Sequence, residues 1–153
     1  MNIARHCARR ARRSRGFTLI ETMVAAGIAG VLSSIAYPNL EGHVLRARRT
    51  DALVALMQAQ LAQERYRANN ASYGSLAEAG VYGISSAGLY TVQVTSHGAD
   101  GYVVLASATG AQARDASCRH LRLTLADAML AYASGADATT ANGAELNRKC
   151  WSR

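Results

Sequence analysis

The chain has 153 residues, enough for one modest domain; half of them are apolar but only 6% are aromatic. Much of the apolar count is alanine, which buries little area, so a small core helped by some further constraint is expected. The formal charge of +7 suggests a general nucleic-acid binder, but its distribution excludes that inference: of 17 basic residues, six (Arg5, Arg9, Arg10, Arg12, Arg13 and Arg15) precede the first apolar run with no acid among them, and from Phe17 onward eleven Lys/Arg face ten Asp/Glu.

Residues 1–16 therefore read as a basic leader. Phe17–Tyr37, FTLIETMVAAGIAGVLSSIAY, carries a single charge, Glu21. A helix of that length spans about 30 Å, the thickness of a bilayer's hydrocarbon core. The arginines before it place the N-terminus in the cytoplasm and the rest outside. In an ordinary secretory signal the small-residue cleavage site follows the apolar stretch. Here Gly16 precedes it, so a cut between Gly16 and Phe17 would remove the charge and Cys7 but keep the apolar segment. It would also create a new amine at Phe17.

Glu21 lies one helical turn after Phe17. A carboxylate in an apolar segment costs several kcal/mol, of order 3, unless it is paired. A charged Phe17 amine on a neighbouring copy could pair with it and set the register between copies. The alternative is a lone carboxyl at the membrane edge. Ala25, Ala26, Gly27, Ala29, Gly30, Ser33, Ser34 and Ala36 keep the helix slim, as a simple anchor tolerates and self-packing requires. Pro38, the one proline in the chain, removes a backbone donor and should kink or locally melt the helix.

Arg15-Gly16-Phe17-Thr18-Leu19-Ile20-Glu21, directly before a spanning apolar helix, resembles the processing motif of type IV prepilins and pseudopilins. The resemblance implies a prepilin peptidase that cuts after Gly16 and methylates Phe17, with Glu21 as the assembly glutamate. It further implies partnership with other pilin subunits through the N-terminal helix and with the inner-membrane pilus assembly machinery. The expected location is the inner membrane before assembly and a cell-surface pilus afterwards. The expected fold is α+β, the type IV pilin fold: a long N-terminal helix packed on a small antiparallel sheet of about three or more strands, with a disulfide-closed C-terminal loop. Residues 1–16 are then the removed leader, 17–38 the membrane and filament-core helix, and 39–153 the globular domain.

Beyond Pro38 the pattern is amphipathic to about Arg67. Leu53, Leu56, Met57 and Leu61 recur at helical spacing as the sheet-facing stripe, while Arg46, Arg48, Arg49, Asp51, Gln58, Gln60 and Gln63 supply solvated faces. Residues 69–88 read as loop, with a possible helical turn at Ser75–Ala79. Three strands follow at Leu89–Ser96, Tyr102–Ala108 and Cys118–Ala126, the first with Tyr90, Val92 and Val94 on one face and the last with Leu121, Leu123 and Leu125 on one face. Residues 133–149, poor in large apolar groups, should form a loop and not a strand. Loss of the leader leaves Cys118 and Cys150, an even number facing an oxidising compartment, which favours one disulfide over two unrelated thiols.

Gln63-Glu64-Arg65-Tyr66, Tyr73, Tyr90, the QARDASC run of Gln112–Cys118 and Cys150-Trp151 resemble the PilE/ComP-like minor pilins of Gram-negative bacteria. That resemblance favours a minor pilin of a type IV pilus over a type II secretion pseudopilin, and it raises a second role as a DNA-uptake receptor in natural transformation. Arg114, Arg119, Arg122, Arg148 and Lys149, with Trp151 beside them, form a candidate backbone-contact patch. Residues 114–153 also hold Asp115, Asp127, Asp137 and Glu145, so a merely solvated surface is the competing reading.

No enzyme, cofactor or metal is expected. His6, His43, His97 and His120 are scattered without metal-ligand spacing, and the glycines form no phosphate loop. Asp115 reads as a turn or cap residue.

Overall fold

A computed structural model of the chain describes residues 16–151, with side chains for all of these except 35–39. The leader arginines, His6, Cys7 and Arg153 lie outside the described residues. The chain divides into two compact units, one ending at Pro38 and one starting at Asn39.

Helix α1 runs from Leu19 to Asn69 and continues as helix through Pro38; the side chain of Pro38 is not among those described. Its start is a reciprocal capping arrangement. The Glu21 N–H donates to Thr18 Oγ1 at 3.3 Å, and the Thr18 N–H donates to Glu21 Oε2 at 3.4 Å, so two donors without helical partners are satisfied by Thr-Leu-Ile-Glu. At its other end the Asn69 and Asn70 amides donate to the Arg65 and Tyr66 carbonyls at 3.2 and 2.8 Å.

In the unit from Asn39 onward, strands β1 (Tyr90–Ser96), β2 (Gly101–Ala108), β3 (His120–Ala126) and β4 (Met129–Gly135) form one antiparallel sheet in the order β1-β2-β3-β4. Two short 3-10 segments, Gly110–Arg114 and Ala116–Cys118, link β2 to β3. The expected alternation holds: Tyr90 and Val92, Tyr102, Val104 and Ala106, and Leu121 and Leu123 are buried on the face that meets α1.

The helix stripe differs from expectation. Ala52, Leu56, Ala59 and Gln63 are buried, Leu53 is partly buried, and Met57 and Leu61 are 63% and 51% exposed. Alanine fills three core positions on the helix, Ala55 included, and the sheet supplies the bulk through Tyr90, Tyr102, Leu121 and Leu123. Buried Gln63 is satisfied by Gly74: its Nε2 donates to the Gly74 carbonyl at 2.8 Å, and its Oε1 accepts the Gly74 N–H at 3.1 Å. A side chain at residue 74 would press on Tyr66, 2.9 Å from an added Cβ.

The loop expected at 133–149 is corrected. β4 extends to Gly135, and helix α2 spans Ala144–Cys150. Polar side chains, not apolar ones, hold this segment. Ser134 Oγ donates to Asn147 Oδ1 at 2.8 Å, Asn147 Nδ2 to the Tyr132 carbonyl at 2.8 Å, and Asn142 Nδ2 to the Ser117 carbonyl at 2.7 Å. Gly135 lies so close to Thr140 that a Cβ would fall 2.6 Å from its Cα. Such an arrangement leaves no hydrophobic period to read.

Cys118 and Cys150 form the expected disulfide, both buried, with Cα atoms 5.5 Å apart. A bridge across 32 residues contributes roughly 3–4 kcal/mol by the loop-closure model.

Candidate assembly and nucleic-acid interfaces

The first candidate surface is the start of α1. Gly16 and Phe17 precede the helix, and Phe17 is 82% exposed. Each described residue from Leu19 to Ser34 is exposed, Ile20, Val24, Ile28 and Leu32 among them. Among the described residues of its own unit nothing covers this row. Ser33 and Ser34 turn their hydroxyls back onto the Ala29 and Val31 carbonyls at 2.7 Å, so the serines present no free donor along the apolar surface. Glu21, held by Thr18, keeps its carboxylate at the first turn, four residues after Phe17. Among the described residues no helix is long and apolar enough to cross a membrane; side-chain description of the apolar run ends at Ser34.

The second candidate surface surrounds the disulfide, and its organiser is Arg49. Its Nε and Nη2 donate to both oxygens of Asp115 at 2.6 and 2.9 Å, and its Nη1 donates to the Lys149 carbonyl at 3.1 Å. Both members of the pair are nearly buried, at 11% and 7% side-chain exposure. Arg49 is therefore not part of a solvated helix face. Asp115 does sit at a turn, as expected, capping the first 3-10 segment, but its carboxylate also holds Arg49 of α1, and Arg49 in turn reaches the end of α2 through the Lys149 carbonyl. Gln112, buried in the same QARDASC run, donates to the Leu45 carbonyl at 3.0 Å and to Tyr90 Oη at 2.9 Å. Burial pushes the Tyr90 phenol up to about 12, with the Gln112 hydrogen bond opposing.

Of the predicted contact residues, the fold brings Arg114, Arg148 and Lys149 to this foot of the unit, where Arg46 and Arg48 of α1 are also exposed. Arg114 pairs with Glu41 at 2.9 Å, and Lys149 with Glu145 at 3.0 Å. Arg119 donates to the Ala113 carbonyl at 3.0 Å. Arg122 does not join the group. It lies on the outer sheet face, opposite Leu105 and Ala133 in register, and its Nη2 is hydrogen-bonded to the Ala138 carbonyl. Trp151 is corrected as well: it is 7% exposed, stacks edge-on with Tyr132 at 4.9 Å and donates to the Ala133 carbonyl at 3.1 Å. It is a core residue and offers no stacking platform for a base. The sequence reading missed Arg49, whose partners lie 66 and 100 positions away with no local signal. It also missed the Thr18–Glu21 capping pair, which the Thr-x-x-Glu spacing does display.

The long helix, the four-stranded antiparallel sheet and the closing Cys118–Cys150 bridge are the type IV pilin fold. Residues 38–122, more than half of the chain, match the family described as "Type IV minor pilin ComP, DNA uptake sequence receptor". The chain belongs to the type IV minor pilin family. Residues 11–37 of this pilin match the prokaryotic N-terminal methylation motif. The pilin is 35% identical over 91 residues to the type II secretion system core protein G of Pectobacterium carotovorum subsp. carotovorum, covering 60% of this chain and 58% of the relative. It is 34% identical over 91 residues to the core protein G of Klebsiella pneumoniae, covering 60% and 64%. To the type IV major pilin protein PilA of Myxococcus xanthus it is 35% identical over 65 residues, covering 42% and 30%. The pilin thus matches about three-fifths of the length of the two core protein G relatives.

Proposed function

We propose that this pilin is a minor subunit of a type IV pilus and that its globular unit contacts DNA during uptake. Residues 17–38 span the inner membrane, with the leader in the cytoplasm and the globular unit outside. The prepilin peptidase cuts between Gly16 and Phe17 and methylates Phe17. Glu21 then meets the Phe17 amine of a neighbour, and the pilus machinery draws the subunit into a filament. What supports the assembly reading is one observation: sixteen consecutive exposed helical residues, Leu19–Ser34, all within the matched methylation motif of residues 11–37. Expression with and without the peptidase tests it; an unchanged mass in its presence rejects it.

The DNA reading is supported by the family match together with Arg46, Arg48 and Arg148, exposed at one foot and in no ion pair among the described residues. Electrostatic contacts of this kind follow salt. Replacing Arg148 and Lys149 with alanine should weaken binding of a DNA duplex about tenfold and lower the salt slope by about two. Absence of any salt-sensitive shift for the unsubstituted globular unit rejects the role. The function is read as structural and binding, not enzymatic. A pseudopilin of type II secretion is the second reading, supported by the identity to core protein G; recovery in secretion pseudopili and not in pili would favour it.

A further inference from the structure

The unit from Asn39 onward divides its charge between its two ends. Segments 39–51, 110–122 and 136–151 meet where the chain enters: Gln112 donates to the Leu45 carbonyl, Arg114 pairs with Glu41, and Asn142 donates to the Ser117 carbonyl. These three segments hold eight Lys/Arg against five Asp/Glu. The remainder of 39–151 holds two against four. Two of those four acids, Asp100 and Asp127, lie at the far end of the strands, where Gly101 faces Ala126. At the entry end Glu41, Asp115 and Glu145 are each paired with a cation. Asp51 accepts from the Ser85 hydroxyl and the Ala87 N–H, and Asp137 accepts from Thr139. The surplus is carried by exposed Arg46, Arg48 and Arg148, in no ion pair among the described residues. Just before them, Leu40 and Val44, one turn apart on α1, are 62% and 39% exposed. Apolar groups beside unpaired arginines are the composition of a helix that lies at a lipid interface. Arg46 and Arg48 follow Pro38 by eight and ten residues, at most about 12 and 15 Å along a helix. The polar layer outside the hydrocarbon core is about 5–7 Å thick, and the field of an anionic surface reaches about 8 Å further at physiological salt.

We propose that, before assembly, the entry end of the globular unit docks on anionic phospholipid headgroups. This rests on the reading above that residues 17–38 span the membrane. Arg46, Arg48 and Arg148 take phosphate oxygens as charge-assisted acceptors, while Leu40 and Val44 enter the headgroup layer. The acidic far end is repelled by the same surface, so the charge division selects which end docks. The DNA reading places its contacts on the same arginines, so headgroups and DNA take them in turn, before and after extraction.

The test uses the full-length chain in a Cys7→Ser background, held in nanodiscs of phosphatidylcholine alone or with one third phosphatidylglycerol, both carrying a lipid with a nitroxide on its headgroup. A fluorophore on Ala111→Cys, in the segment that packs on α1 at the entry end, reports approach to the headgroups; one on Ala99→Cys, at the far end, is the control. Quenching at position 111 should be at least threefold stronger with phosphatidylglycerol, and quenching at position 99 should not change. Salt at about 0.5 M should bring the two discs level. Arg46→Gln, Arg48→Gln and Arg148→Gln together should do the same without shifting the thermal melt, as exposed positions allow. Equal quenching at position 111 in the two discs, or a difference that survives the triple substitution, overturns the proposal. Co-elution with the discs separates the two readings. A chain held in both discs with equal quenching removes the docking alone, and a chain that enters neither removes the membrane anchor and the docking with it.

Discussion

Between Leu19 and Ser34 each residue of α1 is exposed, including Ile20, Val24 and Ile28, whereas between Ala52 and Gln63 the same helix buries Ala52, Leu56, Ala59 and Gln63. The two stretches share a secondary structure and differ in where the partner comes from. The second has its partner in the same chain, the sheet that follows it. The first needs lipid or other subunits. Small residues serve both ends. Gly27 and Gly30 leave open space around the first stretch for another helix to enter. Ala52, Ala55 and Ala59 share one buried cluster with the side chains of β1–β3. A slim helix surface is thus no sign by itself of membrane or of core; what covers it decides.

The contrast can be broken in graded steps. The largest effect is expected from opening the bridge: Cys118→Ser with Cys150→Ser should cost the globular unit roughly 3–4 kcal/mol in a urea melt, because α2 and Trp151 lose their covalent tie to the 3-10 segment that leads into β3. Leu56→Ala, at 0% exposure, should cost about 3 kcal/mol in the same assay. Ile28→Ala, at 57% exposure, should change it by less than about 0.5 kcal/mol while lowering recovery in filaments. Equal losses from the two substitutions would falsify the division of α1. Gln63→Ala should cost about 2 kcal/mol, since the Gly74 N–H and carbonyl lose both partners in a buried place.

The smallest expected effect is electrostatic. Burial and the adjacent Arg119 push the His120 imidazole below its ordinary 6.5, with Asp137 opposing; its Nδ1 also lies 2.9 Å from Ser107 Oγ. The unfolded chain therefore takes up this proton first. The stability that His120 contributes is present above about pH 6.5 and is lost as pH falls through that value toward the folded pKa. Thermal melts from about pH 8 to about pH 5 should show a smaller acid loss in His120→Asn than in the parent chain.

The fold was legible where one period dominates. Tyr90 and Val92, and Leu121, Leu123 and Leu125, alternate cleanly and fall on one buried face as read. The disulfide followed from the compartment argument and cysteine parity. Illegible parts share a cause: their stabilising contacts are polar or distant. Ser134, Asn142 and Asn147 build β4 and α2 through hydrogen bonds that leave no hydrophobic pattern. The basic patch was read along the sequence, so Arg122 and Trp151 were grouped with Arg148 and Lys149. Strand register turns Arg122 to the outer sheet face, and Trp151 packs onto Tyr132. The motif at Gly16–Glu21 was legible because its residues are neighbours in the chain and match a known N-terminal methylation motif.

The sheet order β1-β2-β3-β4 has a kinetic consequence. Each strand pairs with its neighbour in sequence, so the meander closes through short connections. Docking of α1 instead waits on contacts such as Arg49 with Asp115 and Lys149, 66 and 100 positions apart. Short closures form faster than long ones. The topology predicts a folding transition state in which the β1–β2 and β3–β4 pairings, whose connections are the shortest, are formed and the Leu56 contacts are not. Conservative substitutions at Val104 would then slow folding, and Leu56→Ala would chiefly speed unfolding. Cys118 and Cys150 would meet on a sheet still bare of its helix, and oxidation would precede the step that hides them.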